Sequence, residues 1–227
     1  MLDAAERLAA ERGLAALTVQ AVQEAAGQRN KSAVQYHFGG RQGLVDALVA
    51  ARMAPTNERR TAMLLALGAD PSTRELVEAL VVPLVESVQG RRPSYWARFL
   101  VQAIGDPTTG LAALAAVDDR AIQAAQSRLE ARLTHLPPAV RTLRVQSIFG
   151  YTCVALAAYE VGALPPELTG DALAVEIVDA CCGLVDAPTS ADHPLAATAT
   201  AHSTATPTTT PAAHSTATPT TTNEDHP

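Results

Sequence analysis

Eight consecutive residues carry Asn30, Lys31, Ser32, Gln35, Tyr36 and His37, interleaved with the apolar pair Ala33 and Val34 and followed by Phe38. Ala33, Val34 and Phe38 recur at helical spacing, so the polar and aromatic side chains fall on the outer face of one short helix. An ammonium, hydroxyls and amides there can bond phosphate oxygens and base edges. The rings of Tyr36 and His37 can lie against sugar or a thymine methyl. Such a helix is equipped to face a charged, hydrogen-bonding polymer.

The surrounding elements must position that helix. From Leu2 to about Arg12, Leu2, Ala5, Leu8 and Ala9 fall at helical spacing, and Gly13 ends the run as a C-terminal cap. Thr18 is placed to N-cap a second helix with Val19, Val22 and Ala26 inward, which Gly27 breaks. The third helix runs from near Asn30 to Phe38, with Phe38 in the core, and Gly39-Gly40 terminates it. Arg41 opens a fourth, with Leu44, Ala47 and Leu48 on its apolar face, and Pro55 is expected to kink or interrupt it before Asn57 to Leu67. Further helices are expected over 73–89, 94–104, 117–135, 139–161 and 171–185, with 111–116 open between helix and loop.

Composition supports the same class. Of 227 residues 48% are hydrophobic but only 4% aromatic, and Ala and Leu dominate, so an all-α fold is favoured over a β-branched sheet. No apolar run can span a bilayer, since Val81 to Val88 is interrupted by Pro83 and Glu86, and the first residues read as an amphipathic helix. A cytoplasmic location is the expectation. Cys153, Cys181 and Cys182 read as small buried hydrophobes in a reducing compartment. The net charge of −6 is uneven: residues 1–60 hold eight basic and six acidic side chains, a net +2 against −8 for the rest. A basic head on an acidic body suits a molecule that meets DNA at one end.

Three short helices with a tight turn before a polar third form a helix-turn-helix, whose last helix lies in the DNA major groove. Ala5, Gly13, Thr18, Ala26-Gly27, Tyr36-His37-Phe38, Arg41 and Leu44 occur in an order and spacing that resemble the DNA-binding head of the tetracycline-repressor (TetR) family of transcriptional regulators. The resemblance covers residues 2–53 in motif detail. It implies that Thr18 and Arg41 hold phosphates, that Tyr36 and His37 touch backbone or groove edge, and that Lys31, Ser32 and Gln35 face bases, with Asn30 beside them. Two departures stand out: the stretch from Gly27 to Phe38 is one residue longer than the commonest family spacing, and the sequence begins almost at the first helix, where members carry a basic arm, so either the arm is absent or the true start lies upstream.

The resemblance further implies a head over 1–48, a helical regulatory and dimerisation body over 49–186, and a homodimer whose last two long helices pair with their mates on a pseudo-palindromic operator. The Ala- and Gly-containing face with Gly150, Ala155, Ala158 and Gly162 permits close helix approach. The family's body encloses a small-molecule pocket. Tyr95, Trp96, Phe99, Phe149 and Tyr151 are the candidate walls, and a mainly apolar or aromatic effector is expected. The expected function is therefore that of a ligand-responsive DNA-binding regulator, in the repressing mode. The alternative is an all-helical interaction module that has kept the head but lost specific DNA binding. No phosphate-binding Gly-rich loop, nucleophile–base arrangement or clustered metal ligands are present, so neither catalysis nor a cofactor is expected. After Ala187 the composition turns to Ala, Thr, Pro and Ser, with AHSTATPTTT at Ala201 repeated at Ala213, a tail expected to be disordered.

Overall fold

The computed structural model describes residues 1–27, 38–106, 108, 110–115, 120–190 and 192–195. The polar helix expected from Asn30 and most of the tail expected to be disordered lie outside these residues. Among the described residues every regular element is a helix: α1 Leu2–Arg12, α2 Val19–Ala25, α3 Arg41–Ala66, α4 Thr73–Gln89, α5 Trp96–Ile104, α6 Gly110–Ala115, α7 Arg120–Arg132, α8 Pro138–Glu160 and α9 Asp171–Asp186.

The described parts of the head are built as their spacing predicts. Ala5, Leu8 and Ala9 of α1 and Val22 of α2 are buried against Leu44, Val45, Leu48 and Val49 of α3, with Leu14 and Leu17 of the intervening 3-10 turn. Gly13 adopts φ +81, and its N–H closes α1 on the Ala9 carbonyl at 2.8 Å. Thr18 Oγ1 accepts from the Ala21 N–H at 3.1 Å and so caps α2. Phe38 is half-buried against the same core. Pro55 does not interrupt the next helix: α3 is continuous through it. Ala51, whose carbonyl loses its N–H partner to Pro55, and Pro55 itself are exposed, so water can serve the freed carbonyl.

The body forms around α4, which packs against α3, α7, α8 and α9. This explains the apolar run at Val81 to Val88: a helix contacted on nearly all sides is apolar nearly all round. Its start carries a capping box, Ser72 Oγ accepting from the Glu75 N–H at 3.2 Å and the Glu75 carboxylate accepting from the Ser72 N–H at 2.7 Å. The short α5 packs most heavily on α8, and also on α1. Trp96 and Phe99 stack there, ring centroids 5.2 Å apart, in one core cluster that runs from head to body.

Candidate functional site

Of the eight side chains expected to meet DNA, two lie among the described residues. Thr18 is exposed at the start of α2, its hydroxyl already turned to the helix N-terminus, where a phosphate would find the free N–H groups of the first turn. Arg41, at the start of α3, reaches inward: its Nη2 donates to the Leu14 carbonyl at 3.0 Å and lies 3.9 Å from the Asp106 carboxylate on the α5–α6 turn. Asn30, Lys31, Ser32, Gln35, Tyr36 and His37 lie outside the described residues.

The structure redistributes the charge of the head. Arg52 donates to Glu6 at 2.7 Å and also pairs with Asp3. Arg59 makes a two-pronged pair with Glu86 at 2.9 and 3.1 Å, which raises its pKa further above neutrality, and Arg60 is buried. Arg7 and Arg12 of α1 are the exposed cations that the described head offers to an outside anion.

Two buried carboxylates join the head to the body. Glu6, its side chain 1% exposed, accepts from Arg52, from Arg91 Nη1 at 3.0 Å, and from the Tyr95 N–H at 3.3 Å, just ahead of α5. Glu160, at the end of α8 and equally buried, accepts from the Ala97 and Arg98 N–H groups, both at 3.0 Å, and from Ser94 Oγ at 2.7 Å. Ala97 and Arg98 are the second and third residues of α5, the donors a local cap would satisfy, and the negative charge complements the helix dipole. A carboxylate from another helix thus caps α5.

The body holds a cavity of about 270 Å³ between α3, α4, α6, α7 and α8. Met53, Leu84, Ile122, Ile148 and Phe149 form apolar walls, and Arg60, Gln126 and Gln146 are the long polar side chains on it. Of the five aromatic residues expected in a pocket, the structure brings only Phe149 to this one. Trp96 and Phe99 are consumed by their mutual stacking in the core. Tyr95 lies under the Arg98 guanidinium, 4.8 Å from it, beside a cleft at Glu6 and Arg91, and Tyr151 is exposed on the outer side of α8. Aliphatic residues do the enclosing, because this Ala- and Leu-rich chain has few rings to place. Arg60 went unread as a cavity residue. The usable signal was Pro83, which fixes a gap in the α4 hydrogen-bond ladder for a donor to fill.

The thiols are unactivated. Burial pushes Cys181 up to about 11 and raises Cys153 and Cys182 as well, consistent with small hydrophobes in a helical core. No helix among the described residues is long and apolar enough to cross a membrane.

Residues 1–48 match the family model of bacterial regulatory proteins, tetR family. No curated protein matches the chain. Among solved structures, the TetR family transcriptional regulator PfmR from Thermus thermophilus superposes with a TM-score of 0.51 at 18% identity, covering 83% of this chain and 98% of that one. The fatty acid degradation regulator FadR from Bacillus halodurans gives 0.54 at 14% identity, covering 82% and 93%. These two likenesses reach well past the head and show that the helical body shares their fold. The head of this chain, residues 1–48, whose caps and buried faces are those described above, is thus that of the bacterial regulatory proteins of the tetR family.

Proposed function

We propose that this protein is a homodimeric transcriptional repressor that binds a pseudo-palindromic operator and is released from it by a small molecule held in the body. The observation that carries this reading is the family match over the head, residues 1–48, joined to the N-capped α2 that precedes the polar segment. The cavity between α3 and α8 supports ligand control. It lies against α3, which begins in the head, and α8, whose last residue caps the α5 that packs on α1. The outer side of α8 supports dimerisation. Leu143, Tyr151, Val154 and Val161 are exposed in one stripe, and a Cβ added to Gly150 would meet nothing, so a second copy could approach closely there.

The test is fluorescence anisotropy of the purified protein on its own upstream DNA across a salt series, with Arg41→Ala and Gln35→Ala alongside. Wild type should bind one palindromic site, with affinity falling steeply as salt rises. Gln35→Ala should relax base preference by about 1–3 kcal/mol at one position, and Arg41→Ala should weaken all sequences alike. Circular dichroism checks that Arg41→Ala, which also loses the Leu14 bond, remains folded. Weak binding that ignores sequence would sink the repressor reading and bring forward an interaction module.

A further inference from the structure

Arg60 is 3% exposed and lines the body cavity. Its Nε donates to the Ala79 carbonyl at 3.1 Å, its Nη2 to the Leu80 carbonyl at 3.2 Å, and its Nη1 bonds Asn57 Oδ1. Part of this is structural. Pro83 lies within α4 and has no N–H, so the Ala79 carbonyl four residues earlier loses its helical partner, and Arg60 supplies the missing donor. That role needs a donor, not a charge. A neutral amide could serve both carbonyls without burying a cation, and burying a cation without a counter-charge is costly.

Among the described residues no carboxylate pairs with Arg60, unlike Arg52, Arg59, Arg74, Arg91, Arg98 and Arg132, which all do. Burial alone pulls its pKa down to about 10, which still leaves it charged at neutral pH. Three of its five N–H groups serve the two carbonyls and Asn57, leaving two for another acceptor. The cavity beside it is apolar over Met53, Leu84, Ile148 and Phe149; its other polar residues are the half-buried Gln126, the exposed Gln146, and Thr152, whose hydroxyl already donates to the Ile148 carbonyl. Charge therefore lies at the inner wall and apolar surface in between.

From this arrangement we infer that the cavity takes an organic monoanion, a carboxylate on an apolar body, whose carboxylate supplies the missing counter-charge of Arg60. The inference deepens the proposed function and rests on its reading of the cavity as the effector site. A carboxylate entering first would meet the two unused guanidinium N–H groups, a charge-assisted contact in a desolvated place. The apolar body would fill the space between Met53 and Phe149. The same contact disfavours cations and gives a neutral alcohol only an ordinary hydrogen bond.

Isothermal titration calorimetry of the full chain tests this with octanoate and naphthoate against octanol, naphthol and octylammonium. At least one carboxylate should bind about tenfold more tightly than its alcohol, with octylammonium weakest. The better of octanoate and naphthoate tells whether the site accepts a chain or a ring system. Arg60→Gln keeps donors for the α4 carbonyls and should abolish the preference of carboxylate over alcohol. If that variant does not fold, the charge selectivity of wild type still decides. Equal binding of carboxylate and alcohol, or binding of neither carboxylate, overturns the inference. Operator binding measured without any probe separates the two readings. Sequence-specific DNA binding with no carboxylate preference defeats this inference alone, and carboxylate binding without specific DNA binding defeats the repressor reading alone.

Discussion

Gly43 shows how one missing atom lets the backbone close up at the start of α3. A Cβ built there would lie 1.9 Å from the Phe38 carbonyl oxygen, well inside contact distance, and the obstacle is backbone, which cannot swing aside. In an ordinary helix Gly→Ala adds stability of about 1 kcal/mol. Here the sign should reverse. Gly43→Ala is expected to lose about 1–3 kcal/mol in denaturant unfolding, because the clash pushes Phe38 off the start of α3. Operator affinity should fall further than stability alone explains, since Phe38 ends the segment that carries Gln35 and Tyr36. A Gly43→Ala chain that is more stable than wild type would refute this. At this scale the sequence was legible where a residue acts on its own neighbours: Thr18 as cap, Gly13 as terminator, Leu44 and Leu48 as core. It was opaque where the partner is distant in the chain. Nothing local says that Glu160 caps α5 or that Arg41 turns to Leu14. Glu6 did leave a trace, a carboxylate placed between Ala5 and Ala9 on the buried face of α1.

Among elements, α4 depends on its first turn. The Ser72 cap holds the Glu75 carboxyl below its ordinary range, chiefly through the bond from the Ser72 N–H. A depressed folded pKa contributes stability that is present above the unfolded value, about 4.3, and is lost as pH falls through the folded value. Ser72→Ala removes the hydroxyl cap and should cost about 1 kcal/mol at neutral pH. The gap between the variant and wild type should narrow as pH drops below the carboxylate range, read by urea unfolding at several pH values. Because the variant keeps the backbone N–H bond to Glu75, a gap independent of pH would mean that the bond from the Ser72 hydroxyl to that carboxylate contributes nothing. Helix positions were readable from Pro and Gly punctuation, and α4 begins and ends where the spacing sets it. Boundaries moved by more than a residue in three helices, one of them α7, which ends at Arg132 rather than His135. α5 starts at Trp96 rather than Ser94, because Ser94 and Tyr95 are drawn into the contacts of Glu160 and Glu6. α3 runs through Pro55 because the carbonyl it frees faces solvent.

For the whole molecule, the stripe of Tyr151 and Val154 on α8 is the place to ask about assembly. Val154 is 59% exposed, so Val154→Asp should leave the monomer's thermal stability nearly unchanged while shifting light-scattering mass from two chains to one. A wild type that already runs as one chain would remove the dimer from the proposal. The all-helical class was readable from composition and punctuation. The cavity was not, because it is a space between five helices whose packing angles no local pattern encodes.

The two buried carboxylates that grip the start of α5 also bear on modularity. A head and a body joined in one chain invite treatment as interchangeable parts. Here Glu6 comes from the first helix, Arg52 from the middle of α3, Arg91 from the α4–α5 connection and Glu160 from the end of α8. A head transplanted onto a foreign body would carry a buried negative charge into a place without its two guanidinium partners. Any chimaera would have to move Glu6, Arg52 and Arg91 together, so the natural unit of exchange is this joint and not the first 48 residues.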